Sequence, residues 1–214
     1  MKPLSVLIVG VTGMVGQGIL RECLASPHIK SVLVLTRRSL NLTHDKLTEV
    51  VHNNFFDLTA VREQFRGLDA CFYTLGVSAM GLKEADYAKI NYELTIYIAQ
   101  ILANRNPGMT FCYVSGQSTD ETEKGKIMWA RVKGRTENEL LTLPFKAAYM
   151  FRPGYIQPQK GIKSSTALYN LLYFFMKPFY PILKLLFSGS VTSTQNVGKA
   201  MIMVGQQGYQ QKRL

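Results

Sequence analysis

Cysteine is scarce in this chain, and its scarcity argues against two classes of site. The three that occur, Cys23, Cys71 and Cys112, stand singly in apolar surroundings, without the short spacing of a zinc-binding or disulfide-bonded pair. Isolated cysteines of this kind are typical of small core residues in a protein kept in a reducing compartment. We therefore expect neither a disulfide framework nor a metal site.

Acidic residues are also few, because 14 Asp and Glu stand against 25 Lys and Arg, giving a formal net charge of +11. Such an excess favours an anionic partner. The basic residues are scattered, however, with no block of five or more and no recognisable nucleic-acid-binding motif. The composition therefore predicts a basic solvated surface and no nucleic-acid partner, with part of the charge serving a phosphorylated cofactor.

Long uninterrupted apolar runs are missing as well. The richest segment, 167–187, contains Lys177-Pro178, Pro181 and Lys184, which argue against a spanning helix. It is expected to pack over the sheet as part of a small substrate-side annex, 155–190. The alternative is an interfacial membrane segment, which would make the protein a peripheral membrane protein. Only Met1-Lys2-Pro3 precedes the first apolar run, so no signal peptide is expected and the predicted location is cytoplasmic.

The most informative stretch that is present covers the first sixteen residues. An apolar run over 4–9 predicts a buried parallel strand, and Gly10-Val11-Thr12-Gly13-Met14-Val15-Gly16 and a helical segment to Ala25 follow it. Glycines between a strand and a helix permit a sharp turn, close approach of backbone to a pyrophosphate, and tight helix packing. The unpaired N–H groups at the helix start would face the phosphates.

This context predicts a dinucleotide-binding turn, which the glycines alone would indicate only weakly. The spacing G-x-x-G-x-x-G departs by one residue from the common G-x-G-x-x-G. The alternative is a connection between a strand and a helix that is merely rich in glycine.

Five further apolar runs alternate with helical patterns. The runs cover 31–36, 47–56, 69–75, 109–114 and 145–151, and helices are expected over 59–66, 84–104, 127–141 and, after a loop, up to 204. Strands and helices that alternate at this spacing form parallel sheets with crossover helices. The sequence therefore predicts an α/β fold, a doubly wound parallel sheet (Rossmann fold), as a single domain over 1–214 with a C-terminal annex.

The end of the second strand bears on the choice of cofactor. In a dinucleotide fold this strand end meets the adenosine ribose, where an acidic residue accepts from a free 2′-hydroxyl and an arginine accommodates a 2′-phosphate. Arg37 and Arg38 follow the strand directly, and no Asp or Glu lies between Ile29 and His44. Arg37, the principal candidate, therefore predicts NADP(H) over NAD(H). The alternative is that both arginines are solvated loop charges.

Two polar residues in later segments each require an explanation. Asp57 would face the adenine edge, cap the helix expected at 59–66, or do both. Asn91 falls among the buried positions of the 84–104 helix, where a polar side chain needs partners. That long helix is also the surface on which we expect two copies to pair if the protein is a homodimer.

Taken together, these features resemble the short-chain dehydrogenase/reductase superfamily. More narrowly, they are similar to its small atypical members related to NAD-dependent epimerase/dehydratases and to Tat-interacting-protein-like oxidoreductases. The resemblance covers residues 4–204. It rests on Thr12-Gly13 with Gly16, Arg37, Asp57, Leu75-Gly76, Asn91, Ser115, Lys133 and Arg152-Pro153-Gly154.

The resemblance implies a role for each matching position. Thr12, Gly13 and Gly16 would wrap the pyrophosphate, with backbone donors from Met14 and Val15, and Leu75-Gly76 would lie beside the pyrophosphate and ribose. Asp57 and Leu58 would border the adenine. Lys133 would hold the nicotinamide ribose, Pro153 and Gly154 would bring backbone to the carboxamide, and Ser115 would polarise a substrate carbonyl.

One position departs from the family pattern. The family's acid–base tyrosine stands four residues before its lysine, so that both side chains leave one face of a helix. Here that position is Trp129, whose indole N–H donates a hydrogen bond but does not ionise usefully. Trp129 therefore cannot be the general acid or base.

Three hypotheses follow from this departure. The first is a reductase or epimerase-like enzyme whose proton donor lies elsewhere, with Tyr87, Tyr92, Tyr113 and Tyr155 as candidates. The second is a catalytically silent NADP(H)-binding protein whose bound nucleotide biases a partner-binding surface. The third is a peripheral membrane protein that acts on an apolar substrate through 167–187.

Overall fold

The computed structural model describes residues 2–162, 180 and 190–214. Its main element is a six-stranded parallel sheet in the order β3-β2-β1-β4-β5-β6. The strands are β1 Leu4–Val9, β2 Ile29–Thr36, β3 Leu47–Val51, β4 Ala70–Tyr73, β5 Thr110–Val114 and β6 Ala147–Phe151. This is the doubly wound sheet that the alternating pattern predicts, and the predicted fold class is confirmed.

The helices fall close to the expected positions, with one exception. They are α1 Met14–Ala25, α2 Glu84–Ala88, α3 Leu94–Arg105, α4 Met128–Thr142 and α5 Thr194–Gln207, with a π-helical turn, Lys89–Glu93, between α2 and α3. The helix expected over 59–66 is wrong, because only a 3-10 turn, Arg62–Phe65, forms there. Phe65 is the one fully buried side chain in this segment, so no apolar face at helical spacing stabilises a longer helix.

A second, two-stranded parallel sheet joins the start of the region expected to form the annex, 155–190, to the residues directly after it. It pairs β7 Tyr155–Gln157 with β8 Val191–Ser193. Most of the 167–187 segment lies outside the described residues, so its packing over the sheet or at a membrane stays a prediction. Within the described part of the chain, no helix has both the length and the apolar character needed to cross a membrane.

The central strands β1, β4 and β5 are buried on both faces, whereas the edge strand β3 leaves Thr48 and Val51 exposed. In β1, Leu7 and Val9 pack into one cluster with residues of α3, whereas Val6 and Ile8 pack into another with residues of α1 and α5. This double burial explains why the central strands are apolar runs rather than alternating ones. The three cysteines are all buried and unpaired, as expected of core residues.

A short C-terminal segment extends the sheet beyond β6, which the sequence patterns do not predict. The Met150 N–H donates to the Lys212 carbonyl at 2.7 Å, and the Leu214 N–H donates to the Met150 carbonyl at 2.8 Å. The Arg152 N–H donates to the Leu214 carbonyl at 2.6 Å. Residues 212–214, called the C-terminal tail below, therefore run parallel to β6.

Asn91 lies in the π-helical turn and joins three elements. Its Oδ1 accepts from the Val77 N–H after β4 at 3.2 Å, and its Nδ2 donates to the Tyr87 carbonyl at 3.1 Å. Its own carbonyl accepts from the hydroxyls of Thr95 and of Thr136 in α4. The predicted need for partners is confirmed, and these bonds fix the loop after β4 against the helices.

Replacing Asn91 should therefore destabilise the fold. We expect Asn91→Ala to lower the free energy of unfolding by about 1–3 kcal/mol, because it removes two side-chain bonds and leaves buried groups unpaired. Asn196→Ala, at an exposed position in α5, should change it by less than about 0.5 kcal/mol. Urea denaturation of both variants measures the difference, and equal stabilities would contradict the role given to Asn91.

Candidate functional site

The glycine turn after β1 is packed too closely for side chains. Gly10 has a φ of +90°, and a Cβ added there would lie 2.4 Å from the Leu75 nitrogen at the end of β4. A Cβ on Gly16 would lie 2.2 Å from the Gly10 carbonyl oxygen, whereas one on Gly13 would be 3.3 Å from it. Gly10 and Gly16 are therefore fixed by backbone contact, which brings the start of α1 against the ends of β1 and β4.

The start of α1 offers donors to an anion. Gly13 precedes the helix in extended conformation, and no side chain in the described ranges caps it. Met14 and Val15 begin the helix, and the first-turn N–H groups of any helix have no acceptor within it. With the exposed Thr12 beside them, these groups form a cradle that fits the charge and narrow approach of a pyrophosphate.

The residues at the end of β4 are packed as closely as the glycine turn. Gly76 is exposed, and a Cβ there would lie 2.6 Å from Asn91 Oδ1. The Thr74 hydroxyl donates to the carbonyls of Val9 and Gly10 at 3.1 and 3.2 Å. The strand ends of β1 and β4 thus lie together, which places Leu75 and Gly76 beside the cradle.

Arg37 and Arg38 lie at the exposed end of β2, on the side of the crevice that would receive an adenosine. The Arg38 carbonyl accepts from the Thr36 hydroxyl at 2.8 Å, which turns the chain sharply after the strand. The nearby acid Glu49 accepts from the Leu40 N–H at 3.1 and 3.3 Å. Its carboxylate is thus engaged by the backbone of Leu40.

The two residues expected to border the adenine, Asp57 and Leu58, differ in exposure. Asp57 is exposed, and its carboxylate accepts from the Thr59 N–H at 3.0 Å, which lowers the pKa of Asp57. It therefore caps a turn rather than the longer helix that was expected. Leu58 is fully buried and its N–H donates to the Tyr97 hydroxyl at 3.1 Å, so its side chain belongs to the core and does not border the crevice.

A cavity of about 450 Å³ lies at the ends of β5 and β6, against α4. It brings together five of the predicted site residues, which come from three separate segments: Ser115, Trp129, Lys133, Pro153 and Gly154. Its other lining residues are uncharged: Val114, Gly116, Gln117, Ser118 and Ile156. Among the described residues that line it, Lys133 is the sole group with an ionisable side chain in the physiological range.

Lys133 is held beneath this cavity by backbone. Its Nζ donates to the carbonyls of Val114 and Ser115 at 3.2 and 2.9 Å and lies 5.6 Å from the centre of the Tyr113 ring. Desolvation lowers the pKa of Lys133 from 10.5 to about 8, and attraction to Glu137 opposes this shift. The group can therefore exchange a proton near neutral pH.

The Ser115 hydroxyl has a partner that the sequence analysis missed. It donates to Glu137, which is fully buried in α4, and it also lies 3.2 Å from the Phe151 carbonyl. Its proton is therefore directed away from the cavity, and the structure does not present it to a substrate carbonyl as the resemblance implies. Glu137 falls four residues after Lys133, and that spacing on one helix face is the signal that would have identified it.

Pro153 and Gly154 close the opposite side of the cavity. The Pro153 carbonyl accepts from the Gln117 N–H at 3.1 Å. A Cβ on Gly154 would lie 2.4 Å from both Gln117 Oε1 and the Ser190 carbonyl. The Gln117 amide donates to the Ser190 hydroxyl at 2.6 Å, so the second sheet is fixed to the rim of the cavity.

None of the four candidate tyrosines lines the cavity. Tyr87 and Tyr113 are buried, and burial raises the pKa of Tyr87 to about 12 and that of Tyr113 well above its usual range. The Tyr92 hydroxyl donates to Glu139, and that of Tyr155 donates to Gln157. Trp129 occupies the place beside Lys133, with its ring 3.5 Å from where a Cβ on Gly116 would lie.

The low pKa of Lys133 predicts a specific pH dependence of stability. The folded protein holds this proton less tightly than the unfolded chain, so the contribution of Lys133 to stability rises between about pH 8 and pH 10.5. We expect Lys133→Met to remove this rise, so that its free energy of unfolding increases less than that of the wild type between about pH 7 and pH 10. Lys126→Met, at an exposed lysine, should keep the wild-type slope in urea denaturation; identical slopes in all three proteins would contradict the burial cost assigned to Lys133.

Comparison with known proteins places these features in a family. Residues 6–127 match the NAD dependent epimerase/dehydratase family. Among solved structures, a short chain dehydrogenase family protein from Francisella tularensis superposes with a TM-score of 0.69 over 99% of this chain and 96% of its own, at 14% identity. The Bordetella bronchiseptica enzyme WbmG, solved in complex with NAD, superposes with a TM-score of 0.70 over 99% of this chain and 72% of its own, at 12% identity.

Curated relatives are closer in sequence. The chain is 31% identical to protein fmp52-1, mitochondrial, of Aspergillus terreus over 158 residues, which are 71% of this chain and 66% of that protein. It is 26% identical to protein fmp52, mitochondrial, of Emericella nidulans over 208 residues, which are 94% of this chain and 87% of that protein. The chain thus spans just under two thirds of the first relative and most of the second.

The names of these relatives correct the predicted location. Both are called mitochondrial, so the cytoplasmic location expected from the sequence is wrong. That expectation came from the lack of a hydrophobic secretory segment, which bears on secretion alone. Mitochondrial targeting uses amphipathic, arginine-rich segments, which a search for apolar runs does not detect.

Proposed function

Because this chain belongs to the NAD-dependent epimerase/dehydratase family, we propose that it binds NADP(H) along the carboxyl edge of its sheet. We further propose that it is an oxidoreductase, or an epimerase-like enzyme, acting on a small carbonyl or hydroxyl compound. The observation that carries the proposal is the cradle at Gly10–Gly16, where backbone fills the space that side chains would take. A cradle of this shape at a helix start suits a pyrophosphate.

The two ends of the crevice suit the two ends of a dinucleotide. Arg37 lies on the side of β2, where its planar fork of donors matches a 2′-phosphate. The cavity with Lys133 lies on the side of β5 and β6, where the nicotinamide end would reach. A nicotinamide held there would supply or accept a hydride beside Lys133.

The 2′-phosphate contact gives a direct test of the cofactor. We expect NADPH to bind more tightly than NADH, and Arg37→Ala to weaken NADPH binding by about 1–3 kcal/mol while leaving NADH binding nearly unchanged. Arg66→Ala, which removes an exposed arginine paired with Glu63, is the matched control and should leave both affinities alone. Calorimetric titration of the wild type and both variants measures all six affinities, and an equal loss for both nucleotides in Arg37→Ala would contradict the NADP(H) preference.

The proton in such a reaction is assigned to Lys133. As an ammonium group it can donate to a developing alkoxide and become a neutral amine, and in the reverse direction the amine accepts the alcohol proton. Trp129 can only donate a hydrogen bond, and the four candidate tyrosines are engaged or buried elsewhere. The pKa of Lys133, about 8, suits this exchange.

The second candidate function is a nucleotide-binding protein without turnover. Trp129 favours it, because an indole stands where the family has its ionisable phenol and packs over Gly116 at the cavity. In that case, the bound nucleotide would bias a surface used by a partner. The two candidates differ in whether NADPH is consumed.

A tyrosine at position 129 separates the candidates. We expect Trp129→Tyr to raise NADPH oxidation across a panel of small aldehydes and ketones by about 10²-fold or more, because general acid catalysis contributes about 10²–10⁴. Trp129→Phe removes the indole without adding an acid and should not gain activity. If the wild type turns over NADPH, and Lys133→Met abolishes turnover while it still binds NADPH, the enzyme is supported. If only Trp129→Tyr turns over NADPH, the silent protein is supported. No turnover in either would contradict an oxidoreductase on small carbonyls.

A further inference from the structure

The C-terminal tail brings a positive charge to the buried Glu137. Arg213 lies in the tail that pairs with β6, and its Nε is 3.3 Å from Glu137 Oε2. Its Nη2 donates to Asn138 Oδ1 at 2.9 Å, and its Nε is 3.0 Å from Glu121 Oε2. Arg213 thus contacts the residue that holds the Ser115 hydroxyl.

Glu137 is a buried carboxylate that requires positively charged partners. It is fully buried, and a buried carboxylate without partners is strongly unfavourable. Arg152, at the end of β6, donates to it through Nε at 3.0 Å and through Nη2. Two carboxylates, Glu121 and Glu137, and two guanidinium groups, Arg152 and Arg213, therefore form a cluster with no net charge.

This cluster acts on the cavity through two routes. Glu137 accepts the proton of the Ser115 hydroxyl, which orients that side chain at the cavity wall. Glu137 also lies one helical turn after Lys133 and is the charged group whose attraction favours the ammonium form. The other groups that face Lys133 from β5 are uncharged: the carbonyls of Val114 and Ser115 and the ring of Tyr113.

We propose that Arg213 is a positioning residue for the cavity, acting through Glu137 to orient Ser115 and to set the electric field at Lys133. The tail is then part of the site, although it touches none of the residues that line the cavity from β5. The inference rests on the proposed function in one respect only, because the proposed reaction is what would use the charge of Lys133.

The sign of the effect is fixed by counting charges. Removing Arg213 leaves the cluster with a net negative charge, which favours the ammonium form and raises the pKa of Lys133. Removing the charge of Glu137 leaves a net positive cluster, which lowers that pKa. A loss of packing alone would expose Lys133 in both variants and raise its pKa in both.

The experiment measures the pKa of Lys133 in the protein without nucleotide. Competitive acetylation with acetic anhydride as a function of pH, followed by peptide mass spectrometry, gives the pKa of each lysine separately. The variants are Arg213→Met, Glu137→Gln and Lys212→Met. Lys212→Met is the matched control, because it removes the same charge from the same tail. In the wild type, the Lys212 Nζ lies over the Tyr149 ring, 4.4 Å from its centre.

We expect the pKa of Lys133 to rise by about 0.5 unit or more in Arg213→Met, to fall in Glu137→Gln and to stay unchanged in Lys212→Met. In Arg213→Lys, which keeps the charge, the pKa of Lys133 should lie closer to the wild-type value. Glu121→Gln, at a side chain 52% exposed, should fold readily and lower the pKa slightly. This variant still fixes the sign of the effect if Arg213→Met or Glu137→Gln does not fold.

An unchanged pKa in Arg213→Met, equal shifts in Arg213→Met and Lys212→Met, or shifts of one sign in Arg213→Met and Glu137→Gln would each overturn the proposal. Because no nucleotide is present, these outcomes do not depend on cofactor binding. A separate NADPH titration of the same variants shows whether the proposed function fails independently.

Discussion

The constraint on which the rest of the site depends is the contact between backbone at the end of β1, the end of β4 and the start of α1. Side chains at Gly10 or Gly16 would collide with backbone atoms at 2.4 and 2.2 Å. This closeness brings the first turn of α1 to the carboxyl ends of β1 and β4. An anionic pyrophosphate has the required shape and charge.

A second constraint acts at the other end of the crevice, where charge is buried. Lys133 is held by two carbonyls, and Glu137 is held by two arginines and a serine. Burying ionisable groups costs free energy unless partners are arranged around them, and such arrangements are common at sites where protons move. The cavity thus combines one ionisable group with walls that are otherwise uncharged.

Much of the fold was predictable because a buried parallel sheet gives continuous apolar runs, and five of the six strands lie where such runs occur, whereas the edge strand β3 carries Thr48 and Glu49. The glycine turn was predictable for the same reason, since its context follows from the first strand. The tail beside β6 and the partners of Glu137 were not, because they depend on contacts between residues 137, 152 and 213 that no local pattern encodes. Likewise, Ser115 lines the cavity, but the direction of its proton depends on a residue 22 positions away.

The central claim is that the cradle and the cavity form one dinucleotide crevice, and the chain carries a natural probe of it. Trp129 is its single tryptophan and lines the cavity, so indole emission comes from the site alone. We expect saturable quenching of this emission by NADPH with sensitised nicotinamide fluorescence. The signal should be lost in Gly16→Ala and retained in Gly108→Ala, where an added Cβ meets no described atom within 4 Å. Binding of NADPH by calorimetry with no change in Trp129 emission, or a full signal in Gly16→Ala, would contradict the account.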